Sequence, residues 1–178
     1  ILFYTSSFYV RFFALRFLCT LITLAGVWIL WKGLKSAVHD PVAQLIGLAA
    51  LVLHPMFFIM FGRISNESLT FFLFSAVWYF LIQIFTKKEV AWHTWILLGV
   101  SYGLGMLSKV FFVTTLPAFL LVLCADAFYR RRNGEWRKRL PGYLSTIGLI
   151  IAIGVPWYLY QKIVFGSLTG LGSEQESL

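Results

Sequence analysis

The chain has 178 residues, of which 60% are hydrophobic, 19% are aromatic and only 12% are charged, with a net charge of +8. Soluble domains carry roughly 25% charged residues, so this composition excludes a soluble protein and indicates an integral membrane protein. The positive charge does not indicate binding to nucleic acid, because the basic residues cluster in short segments between apolar runs, as they do in cytoplasmic loops.

Apolar runs of membrane-spanning length predict an all-α, polytopic bundle of about six membrane-crossing helices. The first three runs cover residues 12–31, 42–61 and 68–85. Asp40 followed by Pro41 is typical of a helix start. Pro55 predicts a kink inside the second run, because proline removes one backbone hydrogen bond.

Residues 95–128 form a region that is too long for one crossing. Basic residues precede it at Lys87 and Lys88 and follow it at 130–139. Two crossings keep both basic groups on one side of the membrane, whereas one crossing would separate them. The positive-inside rule therefore predicts a hairpin that is broken at Ser108-Lys109.

After the hairpin, Pro141 and Gly142 predict the start of a last span over residues 143–160. This topology places ten of the 15 lysines and arginines on the cytoplasmic side: those at 32, 35, 87 and 88, and the six at 130–139. It leaves Glu67 and Lys109 on the outer side. The GxxxG spacing of Gly99 and Gly103 predicts close packing between helices.

Glu67 lies in a polar break between two apolar runs, residues 62–69 (GRISNESL). One interpretation is an acid in the first turn of a helix that Asn66 caps. The other is a carboxylate in an outer cavity, which orients a hydroxyl or holds a divalent cation such as Mg²⁺ or Mn²⁺. Arg63 shares the break and could pair with the acid, bind a phosphate or anchor at the interface. No cofactor is required by the residues themselves.

Lys109 is a cation in an apolar region, where a charge at mid-membrane costs about 3 kcal/mol. We expect it at the start of a helix, where the dipole also disfavours a cation. Both costs indicate a compensating anion, such as a phosphate held by Lys109, the Ser108 hydroxyl and free backbone N–H groups. The alternative is a lysine that snorkels to the outer head groups. Trp157 and Tyr158 indicate an aromatic belt or, alternatively, stacking on a sugar ring.

Three segments together resemble the GT-C superfamily of membrane glycosyltransferases. Residues 62–69, with Pro55 before them, are similar to the segment "P…sND-x-L" of that superfamily. Residues 99–109 (GVSYGLGMLSK) resemble its "LGLalLtK" segment, and residues 154–170 (GVPWYLYQKIVFGSLTG) its "gWWylrN…yGdp" segment. All three occur in the family order, and protein mannosyltransferases and the aminoarabinose transferases of lipid A have similar patterns.

The resemblance implies transfer of a sugar from a polyprenyl-phosphate donor to an acceptor at the outer face, in a bacterial inner membrane. It assigns the outer-loop acid of the family to Glu67 and the lysine at the carrier phosphate to Lys109. The family usually has Asp where this chain has Glu67, and its main catalytic acid would precede Ile1. We therefore expect residues 1–178 to be one helical domain of a longer protein, a fragment that is inactive by itself.

Two functions of other classes are compatible with the same residues. A transporter or flippase for an anionic lipid or solute would also use a cation at an interrupted helix, but the inverted repeat that it predicts is not visible in the sequence. A non-catalytic membrane subunit would need Glu67 only as a helix cap and Lys109 only as a snorkelling lysine.

Overall fold

The computed structural model describes residues 8–54, 57 and 64–166. All regular structure within these residues is helical, which confirms the predicted all-α bundle. The helices are, in chain order, α1 Phe8–Ala37, α2 Pro41–Val52, α3 Glu67–Thr86, α4 Trp92–Ser108, α5 Phe111–Arg132 and α6 Trp136–Phe165. Four of them, α1, α3, α5 and α6, are long and apolar enough to cross a membrane.

The predicted second span is described only in part. Helix α2 begins after the N-cap Asp40, whose side chain accepts from the Val42 N–H at 3.0 Å, so the helix start predicted from Asp40 and Pro41 is confirmed. The helix has 12 residues and ends at Val52, which is too short for a crossing. Pro55, and with it the predicted kink, lies outside the described residues.

The chain divides into two compact units, Ile1–Thr86 and Lys87–Leu178. In the first unit α1 and α3 run parallel. A Cβ atom on Gly26 would lie 3.1 Å from Phe72 Cα, and further along both helices the Gln83 amide donates to the Ser36 hydroxyl at 3.2 Å. Both helices therefore run in the same direction, as the predicted topology requires. The single domain predicted for residues 1–178 stays a prediction.

Helix α1 is longer than the predicted span of residues 12–31, because the hydropathy of a segment marks its membrane-embedded part and not its hydrogen-bonded length. The Lys32 and Lys35 ammonium groups lie 3.5 and 3.7 Å from the ring centroids of Trp28 and Trp31, one helical turn earlier. Each lysine thus folds back over an aromatic ring and lets the helix continue into the polar zone.

In the second unit α4 and α6 run parallel and approach closely at glycines. A Cβ atom on Gly99 would lie 2.9 Å from the Thr146 carbonyl oxygen, and one on Gly103 would lie 2.8 Å from Ile153 Cβ. The close packing predicted from the GxxxG spacing is therefore confirmed.

This packing predicts opposite effects for two alanine substitutions. We expect Gly99→Ala to lower the free energy of unfolding by about 1–3 kcal/mol, because the new methyl group meets a backbone oxygen that cannot move aside. Gly148→Ala, in α6, should raise it by about 0.5–1 kcal/mol, because nothing lies within 4 Å of a Cβ there and glycine is costly inside a helix. Thermal unfolding of both variants in detergent measures these changes in stability. Equal changes for Gly99→Ala and Gly148→Ala would contradict the close contact at Gly99.

Helix α5 runs antiparallel to α4, which confirms the predicted hairpin. The chain leaves the helical conformation only at Lys109 and Val110. The Tyr102 ring packs against Phe112 and Phe119, with centroid distances of 5.4 and 4.3 Å, and its hydroxyl donates to the Phe112 carbonyl at 2.9 Å.

Helix α6 begins at Trp136, so the predicted start at Pro141 and Gly142 is wrong. The first turn of α6, before Pro141, is held in place because Arg139 is buried and donates to the carbonyls of Lys87 and Lys88 at 2.6 and 2.8 Å. These bonds also bring the basic segments at Lys87–Lys88 and at 130–139 to the same end of the second unit.

Candidate functional site

Lys109 lies in the turn between α4 and α5 and is half-buried. It is the C-cap of α4, with an extended backbone, and its N–H donates to the Gly105 carbonyl at 3.0 Å. The expectation that Lys109 sits at the start of a helix is therefore wrong. The C-terminal end of a helix dipole favours a cation, so this position accounts for part of the cost of a charge in an apolar region.

The backbone amides at the start of α5 are largely used within the turn itself. The Phe112 N–H donates to the Lys109 carbonyl at 3.2 Å, and the Val113 and Thr114 N–H groups donate to the Val110 carbonyl at 2.8 and 3.3 Å. The predicted anion pocket cannot count on these three amides. It rests on the side chains of Lys109 and Ser108, both of which are half-buried.

Tyr158 of α6 reaches the end of α4 that carries Lys109. Its hydroxyl donates to the Met106 carbonyl at 2.7 Å, three residues before Lys109. The structure thus brings three of the predicted site residues, Ser108, Lys109 and Tyr158, to one end of the second unit. Trp157 is 45% exposed and stacks on Tyr160 with a centroid distance of 6.0 Å. Its predicted role in sugar binding stays a prediction.

An apolar cavity of about 400 Å³ opens beside this turn. It begins at Val110, the neighbour of Lys109, and Tyr158 forms part of the opposite wall. The remaining lining residues are Met106, Val113, Thr114, Val155 and Leu159. The backbone of Lys109 therefore adjoins a hydrophobic cavity through its neighbour Val110, an arrangement suited to a ligand with an anionic group and an apolar chain.

Glu67 is the first residue of α3, where an acid complements the helix dipole. It is half-buried, and its N–H donates to the Ser65 hydroxyl at 3.3 Å. The exposed Asn66 contributes its carbonyl, which accepts from the Thr70 N–H and hydroxyl, both at 2.9 Å. Arg63 lies outside the described residues. Glu67 belongs to the first unit and Lys109 to the second, so their sharing of one site stays a prediction.

A metal site has no complete ligand set in the part of the chain that the structure describes. No three His, Cys, Asp or Glu side chains among residues 8–54, 57 and 64–166 come together in a way that could hold a metal ion. The divalent cation considered for Glu67 stays a prediction.

A buried ionic cluster in the second unit was missed from the sequence. The Asp126 side chain is 2% exposed and accepts from the Tyr143 hydroxyl at 2.5 Å. It also lies 3.4 Å from Arg130 Nε and 3.6 Å from Arg139 Nη1. Glu135, at the rim, lies 3.2 Å from Arg130. Arg130 and Arg139 are therefore buried core residues, although in the sequence the basic run at 130–139 indicates only the cytoplasmic side.

A local signal for this cluster exists in the sequence. Asp126 is the one acid in α5, and Arg130 follows it by four residues, the spacing at which side chains on a helix meet. The partners Arg139 and Tyr143 have the same spacing on α6, but nothing in the sequence shows that the two helix faces meet.

Comparison with known proteins adds two findings. The model of the family described as dolichyl-phosphate-mannose-protein mannosyltransferase matches residues 1–159. Over 134 residues the chain is 24% identical to a lipopolysaccharide core galacturonosyltransferase of Rhizobium johnstonii, a match that covers 75% of the chain and 26% of that protein. The chain thus spans about a quarter of the length of this curated relative. No solved structure matches the chain.

Proposed function

Because the chain belongs to the dolichyl-phosphate-mannose-protein mannosyltransferase family, within the GT-C superfamily, we propose that it is part of a membrane enzyme that transfers a sugar from a polyprenyl-phosphate-linked donor. The similar Rhizobium protein is also named as a glycosyltransferase, which supports this class of reaction. The two names suggest two acceptors for testing, a protein and a lipopolysaccharide core.

The observation that carries the proposal is the position of Lys109 beside the apolar cavity. A polyprenyl phosphate combines an anionic phosphate with a long hydrocarbon chain. The Lys109 ammonium group and the Ser108 hydroxyl would bind the phosphate through charge-assisted hydrogen bonds. The cavity between Val110 and Tyr158 would take the first isoprene units of the lipid.

The proposed reaction is a displacement at the anomeric carbon of the sugar. A hydroxyl oxygen of the acceptor forms a bond to this carbon while the bond from the carbon to the phosphate oxygen breaks. The negative charge that grows on the leaving phosphate is stabilised by Lys109. By the predicted sharing of one site, Glu67 would assist by orienting the attacking hydroxyl or accepting its proton. Exposed Trp157 offers a surface on which the sugar can stack.

We further propose that this reaction takes place at the outer face of a bacterial inner membrane. Support comes from the charge pattern, since ten of the 15 lysines and arginines lie in the segments assigned to the cytoplasm. Lys109 occupies the opposite end of α4 from Lys88 and Arg139, as this assignment requires.

Glu67→Gln tests the role of the carboxylate. In the full-length protein we expect it to slow sugar transfer by about 100-fold, because the substitution removes the carboxylate that assists the attacking hydroxyl but keeps the size of the side chain. Glu67→Asp, which restores the acid usual in the family, should retain most of the activity. The measurement is the initial rate with a lipid-linked sugar donor and each acceptor in turn. A rate for Glu67→Gln equal to that of the wild type would contradict the assignment.

A further inference from the structure

A second polar feature of the Lys87–Leu178 unit lies at the end of α4 opposite Lys109. It is a cavity of about 440 Å³, a volume within the range of ligand sites in proteins, about 300–1,000 Å³. We call it the basic-end cavity, and its principal lining residues are Lys88, Glu89, Trp95, Glu135, Lys138 and Arg139. The sugar-transfer reaction proposed above does not use it.

The walls of the basic-end cavity are fixed by buried contacts. Arg139 is 6% exposed and holds the segment at Lys88 through its bonds to two backbone carbonyls, while Asp126 lies 3.6 Å from its guanidinium group. Trp95 is 3% exposed and its ring packs edge-on against Tyr143 at 4.9 Å. A ligand would therefore enter a cavity that is already formed, at little cost in ordering.

The charges that line the cavity leave a positive excess at its mouth. Arg139 is balanced by Asp126, and Glu135 is balanced by Arg130 at 3.2 Å. The remaining charged residues of the lining are Lys88 and Lys138, both exposed, and Glu89. Two ammonium groups then face one carboxylate, which favours an anion.

Exposed aromatic residues indicate how deep in a membrane the basic-end cavity lies. Trp92, the first residue of α4, is 53% exposed, and Tyr129, in the last turn of α5, is 63% exposed. Trp and Tyr at the ends of membrane helices lie at the level of the lipid head groups. The basic-end cavity is therefore placed where the phosphate groups of the surrounding lipids are.

We propose that the basic-end cavity binds the phosphate group of an anionic phospholipid of the bilayer, through the ammonium groups of Lys88 and Lys138. Inorganic phosphate offers the same chemistry without acyl chains, and the experiment below separates the two. The proposal does not depend on sugar transfer, because it concerns the other end of the unit.

The test measures how much phosphatidylglycerol stays bound to the full-length protein. The protein is reconstituted in vesicles of phosphatidylglycerol and phosphatidylcholine in equal parts, extracted in mild detergent and analysed by native mass spectrometry. We expect Lys88→Gln and Lys138→Gln each to weaken retention of phosphatidylglycerol by about 10-fold, because each removes one hydrogen bond to a charged group. Glu89→Gln should strengthen retention by up to about fivefold, because it removes an exposed opposing charge.

The matched control is the double variant Arg131→Gln/Arg132→Gln, compared with Lys88→Gln/Lys138→Gln. Both change the net charge by the same amount, and both arginines are exposed and outside the cavity lining. We expect the arginine variant to bind within about threefold of the wild type, since salt screens charges at a distance. Equal losses in the two double variants, or no loss in either, would overturn the proposal.

Competition with inorganic phosphate identifies the occupant. Retention of phosphatidylglycerol in the presence of millimolar phosphate supports a lipid, because the acyl chains add contacts that a free ion lacks. Displacement of the lipid by phosphate in the wild type would overturn the lipid assignment and identify a site for free phosphate.

Discussion

Replacing Lys109 with alanine in the full-length protein is expected to slow sugar transfer by about 100- to 1,000-fold, the usual effect of removing one group that stabilises a developing negative charge. The charge on the leaving phosphate is larger in the transition state than in the bound donor, so kcat should fall. Binding of the donor should weaken as well, because its phosphate is already anionic. Both constants are obtained from initial rates over a range of donor concentrations.

Two variants control this experiment. Lys109→Arg retains a cation at the C-terminal end of α4 and should keep a substantial part of the rate. Lys162→Ala removes an exposed lysine from the last turn of α6. This turn lies at the same end of the second unit as Lys109, because α4 and α6 run parallel. The Lys162→Ala variant should behave like the wild type. A wild-type rate for Lys109→Ala, or the same loss for Lys162→Ala, would remove Lys109 from the proposed mechanism and favour a snorkelling lysine.

Replacing Asp126 with asparagine is expected to lower the free energy of unfolding by about 3–5 kcal/mol, because it removes the buried negative charge that Arg130 and Arg139 share. Arg130 and Arg139 are 8% and 6% exposed, so water can replace only a small part of the stabilisation that Asp126 gives them. The loss is measured by denaturant titration of the protein in detergent micelles, with thermal unfolding as a second probe.

Glu135→Gln provides the matched comparison, since Glu135 also pairs with Arg130 but its side chain is 44% exposed. An ion pair in contact with water contributes about 0–1 kcal/mol, so this variant should be nearly as stable as the wild type. If Asp126→Asn were no more destabilising than Glu135→Gln, the cluster would be open to solvent and the buried description would be incorrect.

The helices and the hairpin were predictable because membrane insertion depends on composition and on charge position. Backbone groups in lipid must bond within the segment, so long apolar runs become helices. The basic residues on both sides of residues 95–128 then decide between one crossing and two. Helix ends were less predictable: α6 begins before Pro141, because buried contacts of Arg139 hold the preceding turn.

The candidate site was predictable only as a set of residues. A lone lysine in an apolar run is visible in the sequence, and so is an acid at a helix start. Whether Lys109 belongs to the helix before it or to the helix after it depends on the hydrogen bonds of the turn, which make it the C-cap of α4. The apolar cavity beside it is invisible in the sequence, because Val110 and Tyr158 are distant in the chain.

The sequence by itself determined that this protein is an all-α membrane protein, that its second half contains a broken hairpin and that it resembles the GT-C glycosyltransferases. These features follow from local composition, charge position and motifs. Only the tertiary structure decided that α4 and α6 pack against each other, that Tyr158 reaches Met106 and that Asp126 contacts two arginines in the core. Apart from the pair of Asp126 and Arg130, these contacts join residues 13 to 52 positions apart. They form only where helices pack closely and buried charges require partners.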